Sequence, residues 1–303
     1  MTLRRCSRTS IALAAVSSTL IAVAVAATMP DKLATELRLA AVRISGSNHA
    51  LLAVGAACFL IAPICTGLAW ATALRAAGGE LGAVDACARY GVGSLVNSVT
   101  PLRIGDFVRL ALFARALPPG FTIRSLGALA SLKLVRVAAL LALAGMGLND
   151  ARLEVPAAGC VLIAVLLART RRALGLIVLS SAATVARVGA VAFLLAALGI
   201  GASLARACAI VPALALASVL PLTPGNMGVA SAAIAASLHL SGVGVGSGVA
   251  IGIVLHAVET TAGLSFGTCS ALTLATLHGW QPQTRRRRFV TKASPLRRPR
   301  LVG

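Results

Sequence analysis

Seven ionisable side chains stand in stretches otherwise built from apolar residues: Arg103, Asp106, Arg109, Lys133, Arg136, Arg187 and Glu259. An ion surrounded by hydrocarbon is costly, and by default it marks a pathway or a site. Five of the seven are cations and two are acids. Asp106 and Arg109 are spaced i,i+3 and can pair on one helical face. Glu259 is left to serve one further cation. At least two positive charges then lack a counter-charge in the chain, and the desolvation of an unpaired ion is hard to sustain unless something anionic enters. The chemistry expected of this set is capture of an anion, and a lipid phosphate is the obvious one. Snorkelling toward a span end is the competing account of Arg103 and Lys133. Arg136 and Arg187 read as deeper.

Two interrupted stretches must position these groups. The first, Leu95–Arg115, centres on Thr100-Pro101-Leu102-Arg103-Ile104-Gly105-Asp106. The second centres on Thr223-Pro224-Gly225-Asn226-Met227-Gly228. Both follow Thr-Pro-x-x-[Ile/Met]-Gly, a pseudo-repeat in two halves of the chain. Proline removes a backbone donor and stops a helix, so each motif is expected to begin a fresh half-helix. Non-helical backbone at membrane depth survives only where protein or a water-filled cavity surrounds it. Paired breaks in corresponding halves are the best sequence pointer to a binding site. The half-helices after Pro101 and Pro224 would aim free N–H groups at the anion, and Arg109 would add a forked contact.

Composition sets the surroundings. The 303 residues are 58% hydrophobic with a mean hydropathy of +0.92 and only 12% charged residues, which defines an all-α polytopic membrane protein and excludes a soluble domain. The net charge of +20 would suit nucleic acid, but the basic residues collect beside apolar runs and in the segment after Gln281. That is the positive-inside pattern with a juxtamembrane polybasic segment. Aromatic residues make up 3%, too few for a base-stacking surface, so no nucleic-acid partner is expected. The seven cysteines form no CxxC pair and read as small packing residues. The four histidines have no ligand spacing, so neither metal nor cofactor is expected.

Taken in order, residues 1–48 read as an N-terminal signal-anchor span (Ser10–Met29) followed by an interfacial amphipathic segment. A cleavable signal is the alternative, disfavoured because the apolar run exceeds the usual length. Residues 49–280 form the transmembrane domain, with spans at His49–Leu74, Ser125–Leu148, Val155–Ala168, Ala173–Ile200 and Val249–Leu277. The broken stretches lie at about Tyr90–Leu117 and within Ala207–Leu240. The Gly/Ser-rich segment 241–248 reads as a connection. Residues 281–303 read as a disordered basic cytoplasmic tail. The expected count is about six full spans plus two re-entrant hairpins, or eight to ten spans if each hairpin crosses. Either count leaves both termini on the cytoplasmic side of the inner (plasma) membrane.

At the two motifs the chain resembles the lysylphosphatidylglycerol synthase transmembrane region, the flippase-like integral membrane family. Asn97, Pro101, Gly105, Asp106 and Arg109 carry the likeness in the first motif, and Pro221, Thr223, Pro224, Gly225, Gly228 and Val229 in the second. The likeness extends over most of residues 50–280. It implies binding or translocation of a lipid between leaflets, with aminoacyl-phospholipid synthesis confined to a separate soluble domain in two-domain members. The segment after Trp280 is too short and basic to supply such a domain. Asn226 replaces a glycine, Ala230-Ser231 stand where relatives often carry a basic–acidic pair, and the acids the resemblance implies around Arg136 are absent, with Val135 and Ala139 in nearby positions. Those departures weaken a charge relay and enlarge the positive surplus.

The leading expectation is therefore a lipid-binding translocator of an anionic phospholipid or lipid-linked head group. Its site would comprise Asn97, Pro101, Arg103, Gly105, Asp106, Arg109, Arg136, Arg187, Thr223, Pro224, Gly225, Gly228 and Glu259. The alternative is a non-transporting accessory protein that scaffolds a membrane synthase. An enzyme is not expected, because no nucleophile–base pair, metal set or paired carboxylates are present.

Overall fold

The computed structural model describes residues 30–76, 78–100, 104–116, 122–168, 173–201, 203–218 and 227–278. The described residues form ten α-helices and no sheet. The apolar run expected to be the first span and the basic tail both lie outside them.

Four helices are long and apolar enough to cross a membrane: α2 (His49–Ala76), α5 (Thr122–Leu148), α7 (Ala173–Ala197) and α10 (Val245–His278). Their 25 to 34 residues rise about 38–51 Å, more than the ~30 Å hydrocarbon core. Four others are short: α3 (Ala83–Val99), α4 (Ile104–Ala116), α8 (Leu204–Ala217) and α9 (Met227–His239). Thirteen residues, the length of α4 and of α9, rise only about 20 Å. The remaining helices are α1 (Pro30–Ser45) and α6 (Glu154–Ala168). Arg43 on α1 donates to Ser247 Oγ of α10 at 2.9 Å.

Local chemistry explains several boundaries. Asn48 Oδ1 accepts from the amides of Ala50 and Leu51 and so caps α2. Helix α3 ends at Thr100, which is extended at φ −114° and ψ 146°. Pro101 follows it in sequence, and a residue before proline is driven out of the helical region. The Thr100 amide and hydroxyl both donate to Val96 O, at 2.9 and 2.7 Å, closing the last turn of α3. One expectation fails here. The final span begins at Val245, inside the Gly/Ser-rich segment, rather than at Val249. Gly248 and Gly252 let α10 lie almost backbone to backbone against α9, as small residues do between membrane helices.

The chain is built twice on one plan. Thr100 and Thr223 lie 123 positions apart, and so do the first residues of α4 and α9 (104 and 227) and of α5 and α10 (122 and 245). Packing repeats with the sequence. Helix α3 packs on α4 as α8 packs on α9, α3 on α10 as α8 on α5, and α2 on α10 as α7 on α5. The two halves meet where α2 lies against α7. That pair is antiparallel: Gly55 touches Leu194, while Thr72 near the other end of α2 approaches Gly175. Two buried clusters lie within the bundle, and each draws on both halves. Trp70, Tyr90, Phe113 and Leu132 belong to the first, joined by Leu176 of α7; Leu194, Ile210, Ile234 and Leu255 belong to the second, joined by Phe59 of α2. Large apolar side chains also face outward, among them Leu162, Leu166, Val185 and Leu272, a surface suited to lipid.

Candidate functional site

Arg109 is the best-held charge at the centre. It is only 7% exposed, and its Nη1 donates to Asp106 Oδ1 at 2.8 Å, the i,i+3 pair expected from the sequence. Nη2 donates to Ser94 Oγ of α3 at 3.1 Å. The guanidinium lies 4.0 Å from the centre of the Tyr90 ring and 6.0 Å from that of Trp70. An aromatic face attracts a cation in this position. Trp70 is itself stacked on Phe113 at 4.7 Å, so residues from α2, α3 and α4 fix the ring that faces the charge. Asn97 Nδ2 donates to the same Asp106 oxygen at 3.2 Å. Two buried polar atoms, Asn97 Oδ1 and Arg109 Nε, find no partner among the described residues.

Close backbone contact makes this possible. A Cβ on Gly105 would overlap the carbonyl oxygen of Gly93 and come within 2.6 Å of Asn97 N. Gly105 therefore lets α4 press against α3. Arg89 ties the same helices together. Its Nε donates to both oxygens of Asp85 at 3.0 Å, and its Nη1 donates to Leu112 O at 2.6 Å.

A cavity of about 240 Å³ opens beside Arg109. Arg109, Arg136, Arg187, Asp106, Glu259 and His256 supply its charged and titratable wall, and Asn97 also lines it. The helices that position them come from both halves: α4, α5, α7 and α10. Three guanidinium groups face two carboxylates, and one carboxylate is already committed to Arg109. Arg187 and Glu259 form no ion pair with a described residue. Glu259, expected to serve a further cation, stands in the wall and forms no ion pair with a described one. Lys133 lies one turn from Arg136 and is exposed; with Arg136 and Arg187 it lines a smaller space behind Trp70. The duplicated plan is visible here too, because Lys133 and Arg136 match His256 and Glu259 at the same separation of 123 positions.

The sequence-derived residues divide accordingly. Asn97, Asp106, Arg109, Arg136, Arg187 and Glu259 come together around one cavity. Gly228 does not; it is exposed at the start of α9. Pro101, Arg103, Thr223, Pro224 and Gly225 lie outside the described residues. Sequence reasoning missed Tyr90, Trp70, Ser94, His256 and the Asp85–Arg89 pair. The i,i+4 spacing of Asp85 and Arg89 was the one signal available. No group of three or more metal-ligating side chains occurs among the described residues.

These features define a multi-pass helical membrane protein whose spans and short helices enclose a charged cavity. No family model, curated protein or solved structure matches the chain.

Proposed function

We propose that this protein binds an anionic phospholipid or lipid-linked head group in the central cavity and carries it between leaflets. The observation that supports this most directly is the cation surplus: Arg109, Arg136 and Arg187 on one wall, with Arg187 unmatched by any described acid. A guanidinium at that depth is stable when a phosphate completes it, since charge-assisted, forked contacts are the strong ones. The orphaned Arg109 Nε adds a further donor. In this reading α3–α4 and α8–α9 are re-entrant hairpins, too short to cross singly, and the protein lies in the inner membrane with both termini cytoplasmic. The resemblance of the two Thr-Pro stretches to the lysylphosphatidylglycerol synthase transmembrane region supports the same assignment.

Arg187→Gln tests it with opposite signs in two readouts. Loss of one charge-assisted contact of about 1.5–3 kcal/mol should weaken retention of phosphatidylglycerol roughly ten- to hundredfold, measured by native mass spectrometry. The thermal midpoint of lipid-free protein in detergent should hold steady or rise, because an uncompensated cation has been removed. Unchanged retention of the anionic lipid would count against the assignment, as would unchanged lipid movement in proteoliposomes on Arg109→Ala.

A further inference from the structure

The duplicated plan is broken at one seam. In the second half, α9 packs closely on α10: a Cβ on Gly252 would sit 2.7 Å from Ser231 O, and one on Gly248 would sit 3.1 Å from Ala235 Cα. The matching seam in the first half lies between α4 and α5. There Leu129 stands for Gly252 and Ser125 for Gly248, while Val108 and Leu112 stand for Ser231 and Ala235. At three of these four positions a branched side chain, Leu129, Val108 or Leu112, replaces a small one that lets backbones meet. The described residues of α4 and α5 leave a gap of about 300 Å³, lined by Trp70, Asp106, Phe107, Arg109, Leu110 and Lys133.

Resting on the head-group reading above, we infer that this α4–α5 gap is a lateral opening that seats an acyl chain of the bound lipid, while the α9–α10 seam is closed. The order of side chains fits an amphiphile. Phe107, 70% exposed, and Leu110, 47% exposed, stand at the outer edge. Asp106 and Arg109 line both this gap and the central cavity, so the gap ends at the group that would hold the phosphate. Lys133 flanks the opening with a charge of the sign that attracts an anionic head group. A volume of this size is at the lower end for a ligand site and suits part of one lipid rather than a folded partner. Trp70, only 5% exposed, forms the inner surface.

Trp70 is therefore the reporter. Phosphatidylglycerol carrying a photoreactive diazirine on its acyl chain is incorporated into vesicles with the unsubstituted protein, illuminated, and the adducts are mapped by mass spectrometry. The expected result is an adduct on Trp70 that excess unlabelled phosphatidylglycerol removes, and none on Ala235 or Gly248. Adducts confined to outward residues such as Leu162, Leu166 and Leu272 would overturn the opening, even if native mass spectrometry still showed phosphatidylglycerol retained. Equal labelling of Trp70 by the phosphatidylcholine analogue would support the opening and overturn the anion preference instead.

Discussion

Asp106→Asn is expected to destabilise the protein by about 3 kcal/mol, more than any other single change in the charged wall. Arg109 is nearly buried, and its one ion pair with a described residue is to Asp106 at 2.8 Å. Asparagine keeps the shape but leaves the guanidinium charge without its counter-ion, and a buried ion stripped of its partner bears most of its desolvation cost. The same substitution disturbs the Asn97 contact to that oxygen. In detergent this should lower the thermal midpoint by on the order of 5–10 °C. The double variant Asp106→Asn with Arg109→Gln should recover much of the loss, because it removes the orphaned charge along with its partner. A single variant as stable as the parent would show that Tyr90 and Ser94, rather than the ion pair, hold Arg109.

Gly105→Ala is expected to act through packing and to cost about 1–3 kcal/mol. The added methyl would collide with backbone atoms of Gly93 and Asn97, which have no rotamer to yield. Helix α4 must move away from α3. The Ser94–Arg109 hydrogen bond at 3.1 Å and the Asn97–Asp106 hydrogen bond at 3.2 Å span those two helices and would stretch together. Both the thermal midpoint and phosphatidylglycerol retention should therefore fall. Gly159→Ala is the matched comparison: nothing lies within 4 Å of the Cβ it would add, and alanine favours a helix. That variant should melt at or slightly above the parent. If the two behave alike, close approach of α3 and α4 is not what Gly105 provides.

Much of the architecture was legible because local rules govern it. A proline after Thr100 predicts where α3 stops, and i,i+3 spacing predicts the Asp106–Arg109 pair. Long apolar runs predict α2, α5, α7 and α10. What stayed hidden depends on contacts between distant segments. Trp70 and Tyr90 read as ordinary apolar positions until α2, α3 and α4 are placed together. The Gly-rich run 241–248 read as a linker, and residues 241–244 do connect α9 to α10, but the helix has already begun at Val245 and Gly248 lets it touch α9. Glu259 was legible as a costly charge, but its distance from the cations is set by how α10 leans on α3 and α9, which no spacing rule supplies. The regular offset between halves, by contrast, was present in the sequence beyond the two Thr-Pro motifs and needed the helix starts to make it visible.

Twin helices, α5 and α10, hold Arg136 and Glu259 at corresponding points on the same cavity wall. Likeness in the helix plan is thus joined to contrary signs in the side chains. A chamber framed by two equivalent halves consequently carries an electrical direction, and swapping the halves would reverse it.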